Sequence, residues 1–358
     1  MRAPGEASLD GSAPAGPGDD TPMNQMIRRA LIGVGLGVLL YAAGAVYLDT
    51  QNVSEALSDY GWSAVWVALA LSSANYLLRF AKWELCLGWL GIREPGEGNA
   101  SDLTLGRSAL IFIAGLSMSV TPGKVGEVLR SVLLRSSDGI SGSRTAPIVV
   151  ADRLTDLVAL VILSLVGIAQ YRDVLPVVFG VLVVVLAAIV VLGSPRLLHP
   201  VLGAIGRLGL SSVTQRAEKL VDSSAVLLRL RPLAVLTVLS VLGWGLECLG
   251  YYAIVRGFSE AEPSVLICLF LWSATTLIGA VSFLPGGLGA TEGSLAILAT
   301  RLVPGVSAPL AVASTLLIRA CTLWFAVVIG GLSLAIFLRN PTVRSRQTGP
   351  PVLDSNEV

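Results

Sequence analysis

Two short stretches of the sequence combine helix-breaking residues with charged side chains at nearly the same spacing. The first runs from Thr121 to Glu127 and the second from Leu284 to Glu292. Each contains Pro-Gly, a second glycine three residues after the first, and a glutamate soon afterwards. A helix that reaches such a stretch should end, because proline lacks an N–H and glycine is a poor helix former. A new helix should begin just beyond it, with the glutamate in the first turn, where the helix dipole favours a negative charge.

The chemistry that these residues suit is the binding of an anion such as a phosphate head group. Glycine N–H groups at a helix N-terminus attract anions, and nearby cations strengthen the attraction. Glu127 and Glu292 would balance the cations, accept protons or meet an amine. We expect the cations to be Lys124, Arg153 and Arg319. The whole expected site consists of the two breaks and the charged residues that follow them: Pro122, Gly123, Lys124, Gly126, Glu127, Asp152, Arg153, Asp156, Pro285, Gly286, Gly287, Gly289, Glu292 and Arg319.

Other interpretations of these charges remain open at this point. The segment from Asp152 to Asp156 could instead be a salt-bridged clasp between the third span and a hairpin. Glu247 could simply hydrogen-bond a neighbour. Three arginines near the first break are expected to lie at the membrane interface with their charged ends reaching water: Arg107, Arg130 and Arg135.

Composition indicates a membrane protein and disfavours several classes of enzyme. The 358 residues are 54% hydrophobic and only 14% charged, as in chains that cross a bilayer several times. The single histidine, His199, and four isolated cysteines predict neither a metal site nor a disulfide. The glycines of the second break do not follow a strand, so a dinucleotide site is disfavoured. We therefore expect no cofactor and no enzymatic activity, and we also expect no nucleic acid among the partners.

The order of apolar segments predicts an all-α polytopic membrane protein. A membrane crossing takes about 20 apolar residues. The two segments around the breaks are short for a crossing, and we expect re-entrant helical hairpins at about 108–136 and 264–303. Six full transmembrane helices are expected at about 30–48, 62–78, 146–170, 174–192, 233–255 and 308–338. Residues 1–27 and 339–358 are polar and are predicted to be disordered tails.

The distribution of lysine and arginine predicts the orientation in the membrane. Most of the 25 Lys and Arg residues fall on one side if the two hairpins open to opposite faces, and that side is the cytoplasm. Arg79 and Lys82, just after the second expected span, are counted there as loop residues. Both termini are then cytoplasmic, and we expect the protein in the plasma membrane.

The similarity between the two halves extends beyond the breaks. Arg153 and Arg319 each lie on the apolar segment that follows a hairpin. With the orientation above, the two halves point in opposite directions, which is an inverted-topology repeat. Transporters with such repeats bind their substrates near the membrane midplane, where interrupted helices meet.

These motifs resemble those of a known family, the lysylphosphatidylglycerol synthase transmembrane-region family, also called flippase-like. The resemblance rests on Pro122–Glu127, Asp152–Asp156, Pro285–Glu292 and Arg319, and it covers residues 28–338, which we interpret as one transmembrane domain. It implies translocation of lipids across the bilayer. The synthases of the family carry a fused aminoacyl-transferase that this sequence does not contain, so we do not expect lysyl transfer.

The leading hypothesis is therefore a lipid flippase-like protein. Its substrate would be an anionic phospholipid or a polyprenyl-phosphate-linked lipid, moved passively or with ion coupling. Two alternatives are an ion-coupled transporter of a small solute and a non-transporting membrane scaffold for a lipid-modifying enzyme. A lipid-synthesis enzyme and a second copy of the chain are candidate partners.

Overall fold

A computed structural model describes residues 57–94, 103–121, 126–167, 224–282 and 284–339, with three isolated positions at 180, 183 and 187. In these residues the chain is helical and contains no strand, as expected. The helices are α1 (Ser63–Trp89), α2 (Leu105–Leu116), α3 (Gly126–Asp138), α4 (Gly142–Gly167), α5 (Leu230–Arg256), α6 (Val265–Val281), α7 (Ala290–Leu302), α8 (Ala308–Arg319) and α9 (Phe325–Arg339).

Three of the described helices are long and apolar enough to cross a membrane. They are α1, α5 and the continuous helix Ala308–Arg339, which joins α8 to α9. These helices correspond to the second, fifth and sixth predicted spans. Helix α4 matches the third predicted span in length but carries four charged residues. The predicted spans at 30–48 and 174–192 lie outside the described residues, apart from the three isolated positions, and so do the two tails, apart from Arg339.

The prediction for the second span was wrong at its C-terminal end. Helix α1 does not stop near residue 78 but continues to Trp89, and it ends where Gly91 adopts a left-handed φ of 64°. Lys82 is therefore inside a helix, where it is only 1% exposed, and is not a loop residue. It had looked like a loop residue because positive charge after an apolar run is typical of a helix end.

Arg130 was also placed wrongly by the sequence. It is 4% exposed, and its guanidinium lies 4.1 Å from the ring centre of Phe112 and 5.9 Å from that of Trp83. Stacking on aromatic rings lets an arginine remain buried, because the ring faces are electron-rich. The interfacial position expected for Arg130 does not occur, whereas Arg107 remains partly exposed and pairs with Asp138 at 2.9 Å.

Both Pro-Gly stretches separate two short helices, as predicted. Helix α2 precedes the first break and α3 begins at Gly126, while α6 precedes the second break and α7 begins at Ala290. The helix before each break starts on a hydroxyl cap. Thr104 accepts from the N–H of Arg107 at 3.3 Å, and Ser264 accepts from the N–H of Ile267 at 3.1 Å. Capping of this kind satisfies backbone donors that have no partner in the first turn.

Hydroxyl side chains also satisfy the backbone where these helices end. After α2, Ser117, Ser119 and Thr121 donate to the carbonyl oxygens three residues earlier, at 2.6–2.7 Å. After α6, Ser282 donates in the same way to Gly279 at 2.7 Å. Carbonyl oxygens at a helix end lack partners within the helix, so these contacts allow the helix to stop inside an apolar protein.

The central pair of helices, α1 and α5, is antiparallel. Residue numbers rise along α1 while those of their partners fall along α5. The Tyr60 hydroxyl donates to the Ile254 carbonyl at 3.1 Å, and Lys82 lies against Ser240 at 2.7 Å. Between these two contacts Asn75 donates to Glu247 at 2.6 Å.

Two further helix crossings use small residues at equivalent places. Helix α4 crosses α6, where the hydroxyls of Ser164 and Ser273 are 2.8 Å apart and a Cβ on Gly167 would come closer than 3.0 Å to the α6 backbone. Helix α9 crosses α2, where Ser333 donates to the Leu110 carbonyl at 2.9 Å and a Cβ on Gly330 would likewise meet the chain at the end of α2. Small residues let helix backbones approach closely in membrane proteins.

Two apolar cores lie at the two ends of α1. The first includes Ala64, Tyr251 and Trp272, and the second includes Trp83, Phe112 and Leu133. Along α1 the buried residues between these cores are polar: Ser72, Asn75 and Lys82. The fold therefore places a polar layer between two apolar cores.

Candidate functional site

The second break is built from three glycines with left-handed backbone angles. Gly286, Gly287 and Gly289 have φ values of 60°, 69° and 84°. Side chains with a Cβ rarely adopt this region, so the predicted need for glycine is met at these positions. Pro285–Gly287 forms one short 3₁₀ turn, and α7 starts three residues later with Glu292 in its first turn.

Glu292 connects the new helix to the break. One carboxylate oxygen, Oε2, accepts from the N–H of Gly289 at 2.7 Å and thereby caps the N-terminus of α7. The other, Oε1, lies 2.6 Å from Nε of Arg319. The Glu292 carboxylate thus contacts both the N-terminus of α7 and Arg319.

Arg319 contacts both the backbone of the break and Glu292. Its Nη2 donates to the Gly286 carbonyl at 2.8 Å, while its Nε pairs with Glu292. The Arg319 side chain is 9% exposed. A guanidinium can serve a carbonyl and a carboxylate together because its donors point in fixed directions. In this arrangement Arg319 satisfies backbone that the interrupted helix has freed.

A π-helical segment, Ala320–Trp324, follows Arg319 directly. Within it, the Thr322 carbonyl accepts from the Tyr76 hydroxyl of α1 at 2.7 Å. Single π turns inside α-helices are rare and often lie at functional sites. The Cys321 thiol also lies 3.9 Å from the Val65 carbonyl, so two contacts join the π segment to α1 next to Arg319.

The second break touches the approach to the first. A Cβ on Gly286 would lie 3.2 Å from the Cα of Val120, two residues before Pro122. Glycine at this position thus allows two backbones to meet. The pair α6–α7, which the second break separates, therefore contacts the chain just beyond α2.

A second polar group, the Lys82 cluster, consists of Arg79, Lys82, Asp152, Thr155, Asp156 and Ser240 from α1, α4 and α5. The ammonium of Lys82 lies 2.8 Å from Asp152 Oδ1 and 3.1 Å from Asp156 Oδ1. Arg79 contacts the other oxygen of Asp156 at 3.1 Å. Two acids and two bases thus form a neutral group.

Glu247 lies in the same polar layer and is 7% exposed. It accepts from the Asn75 amide at 2.6 Å and from the Trp272 indole N–H at 3.2 Å. The hydrogen-bonding role expected for Glu247 is confirmed. These contacts join α1, α5 and α6.

The sequence-predicted site residues divide into separate groups. Pro285, Gly286, Gly287, Gly289, Glu292 and Arg319 come together at the second break. Asp152 and Asp156 belong to the Lys82 cluster, where they pair α4 with α1, whereas the expected clasp joined this segment to a hairpin. Arg153 is half-buried on α4. Pro122, Gly123 and Lys124 lie outside the described residues, and so does the side chain of Glu127, whereas Gly126 is the first residue of α3.

Sequence reasoning missed Arg79 and Lys82 as partners of the two aspartates. A signal was available, because Asn75, Arg79 and Lys82 are spaced four and three residues apart and so share one face of a helix. It would have been recognised if the second span had been extended beyond residue 78.

Comparisons with known proteins agree with the resemblance in the motifs. The family model described as lysylphosphatidylglycerol synthase TM region matches residues 30–330. A UPF0104 membrane protein of Methanothermobacter thermautotrophicus is 25% identical over 336 residues, covering 87% of this chain and 96% of the relative. A second from the same organism is 24% identical and covers 83% of this chain and 90% of its own length.

A third relative, from Pyrococcus horikoshii, is also a UPF0104 membrane protein. It is 25% identical over 251 residues, which are 62% of this chain and 74% of the relative. The family match covers most of the chain, including both breaks, the Lys82 cluster and Arg319. The chain is therefore a membrane protein that belongs to the lysylphosphatidylglycerol synthase transmembrane-region family.

Proposed function

We propose that this protein translocates a lipid with an anionic head group across the plasma membrane. The observation that carries the proposal is the second break, where Arg319 and the glycine backbone form a polar feature next to the end of α2. Charged residues within membrane helices usually face a partner or a water-filled path and mark a substrate route. The family, which has lysylphosphatidylglycerol synthases among its members, supports a lipid-related role.

The proposed architecture has six full spans and two re-entrant hairpins, arranged as an inverted repeat with both termini in the cytoplasm. The helix contacts support it, because they occur in matching pairs. Helix α4 packs on α6, and its counterpart α9 packs on α2. The counterparts α1 and α5 pack on each other and run antiparallel, as equivalent helices of an inverted repeat do.

The spacing of small residues also supports the repeat. Ser164 and Gly167 follow Arg153 by eleven and fourteen residues, and Gly330 and Ser333 follow Arg319 by the same intervals. All four small residues lie at helix crossings.

In the proposed mechanism an anionic head group competes with Glu292 for Arg319. A phosphate oxygen can accept from a guanidinium as a carboxylate oxygen does. Exchange of one anion for the other would release the cap on α7 and loosen the break, while the lipid tails remain in the bilayer. The two halves would then rock against each other to expose the site alternately to the two faces. The protein makes and breaks no covalent bond in this scheme, and a lipid-synthesis enzyme would supply the lipid.

Reconstitution in liposomes tests the proposal. Fluorescent lipids with several head groups are incorporated, and the fraction that dithionite can bleach is measured over time. We expect the wild type to move at least one anionic lipid. Arg319→Ala should slow movement by about tenfold or more, as the loss of a charge-assisted contact of ~1.5–3 kcal/mol would give.

The matched control is Glu260→Gln, which removes an exposed carboxylate between α5 and α6. It should leave the rate unchanged, while Glu292→Gln should alter it. If folded wild-type protein moved no lipid, the solute-transporter and scaffold hypotheses would replace this one. If Arg319→Ala and charge reversal at both Glu127 and Glu292 left transport intact, the assignment of the transport site to these residues would be wrong.

A further inference from the structure

Four oxygen atoms surround the buried ammonium of Lys82. They are Ser240 Oγ at 2.7 Å, Asp152 Oδ1 at 2.8 Å, Asp156 Oδ1 at 3.1 Å and Thr155 Oγ1 at 3.2 Å. We propose that these oxygens form a site for a monovalent cation, and that the chain fills this site permanently with its own lysine.

The hydroxyl groups are oriented to bind a cation. Thr155 donates its proton to the Ala151 carbonyl at 2.7 Å, and Ser240 donates to Asp156 at 2.8 Å. Because these protons are used elsewhere, the hydroxyl oxygens present lone pairs to the ammonium. Hydroxyl and carboxylate oxygens are also the ligands that hard metal cations prefer.

The charge of the site fits one positive charge. Asp152 and Asp156 contribute two negative charges, and Arg79 contributes one positive charge through its contact with Asp156 at 3.1 Å. The sum without Lys82 is one negative charge, which a monovalent ion would neutralise and a divalent ion would not.

Burial explains why a tethered cation is useful here. The side chain of Lys82 is 1% exposed, and those of Asp152 and Asp156 are 9% and 8% exposed. Buried charges are costly unless they are paired, so the site needs a cation whenever the protein is folded. A lysine supplies it at every salt composition. The folded state of this protein is therefore independent of Na⁺ and K⁺, whether or not the protein moves lipid.

The test removes the tethered cation and offers a free one. Thermal unfolding midpoints are measured in detergent for the wild type and Lys82→Ala, in NaCl, KCl or choline chloride at equal ionic strength. The wild type should give the same midpoint in all three salts. In Lys82→Ala an alkali ion can enter the vacated space, so the midpoint should rise by several degrees in NaCl or KCl and not in choline chloride.

The matched control is the double variant Lys82→Ala/Asp152→Asn, which leaves the same space but no net charge. It should not respond to the choice of cation. Equal midpoints for Lys82→Ala in all three salts, or an equal response of the double variant, would show an ordinary ion-pair network and overturn the proposal. Failure of Lys82→Ala to fold in any salt would also overturn it, because a free cation should then replace the tethered one.

Discussion

The second break and the Lys82 cluster both bury charged side chains, but they use charge for different purposes. At the break, Arg319 donates to a backbone carbonyl and Glu292 caps a backbone N–H. In the Lys82 cluster the partners are side chains, and the helices that carry them are uninterrupted. Charge at the break therefore replaces hydrogen bonds that a helix has lost, whereas charge in the cluster joins three intact helices.

Loss of a charged side chain should therefore have a different effect at each of these two places. Helices α1, α4 and α5 meet at the Lys82 cluster, so its loss should weaken the whole helix packing. The break is smaller and already interrupted, and its carboxylate is more exposed at 16%. Losing a charge there should disturb the break and its function more than the rest of the fold.

The largest effect on stability is expected for Lys82→Met. The substitution keeps the length of the side chain but leaves Asp152 and Asp156 with fewer positive partners in a buried place. Removing one member of a buried ion pair typically costs about 3–5 kcal/mol. Unfolding in mixtures of SDS and mild detergent should show a loss of this size. Adding Asp152→Asn should restore part of it, because the remaining charges are then balanced.

A loss below about 1 kcal/mol for Lys82→Met would contradict this view of the cluster. It would mean that water or a rearranged Arg79 compensates for the ammonium. The matched controls are Arg301→Met and Glu262→Gln, which remove one exposed positive and one exposed negative charge. They should change stability little, since exposed charges contribute only ~0–1 kcal/mol.

The sequence predicted the break much better than the cluster, for a physical reason. Pro-Gly and a following glycine restrict the backbone locally, so Gly286, Gly289 and Glu292 could be placed from neighbouring letters alone. Lys82 meets Asp152 and Asp156 through contacts that are about 70 residues apart in the chain, and no local pattern specifies them. The hydropathy of α1 also falls toward its end, so the helix boundary was set too early and Lys82 was left in a loop.

A smaller effect is expected for Arg319→Leu, which removes the contacts to Gly286 and Glu292 together. Charge-assisted hydrogen bonds contribute about 1.5–3 kcal/mol, and we expect a loss of roughly 2–3 kcal/mol in the same unfolding assay. Arg319→Lys is the matched comparison, because it keeps the charge but lacks the planar fork. It should retain part of the stability and lose most of the lipid transport. Equal behaviour of the two variants in both assays would show that only the charge matters.

The reciprocal helix crossings offer a further test of the comparison between the two halves. In Gly330→Ala the new Cβ would meet the backbone at Leu116 and Ser117, and the forced shift should cost about 1–2 kcal/mol. Gly331→Ala is the matched control, because a Cβ there has nothing within 4 Å. It should be neutral or slightly stabilising, since alanine favours a helix more than glycine. The same cost for both substitutions would argue against a close crossing of α9 and α2.

The smallest expected effects concern the hydroxyl groups at the two crossings. Ser164→Ala removes the contact to Ser273, and Ser333→Ala removes the contact to the Leu110 carbonyl. Hydrogen bonds between membrane helices contribute about 0.6 kcal/mol on average, and the acceptors here keep other partners within their own helices. Each substitution should therefore cost about 0.6 kcal/mol in repeated SDS unfolding titrations. Similar values would support equivalent roles in an inverted repeat, whereas a cost above ~2 kcal/mol at one site alone would show that the two halves are not packed alike.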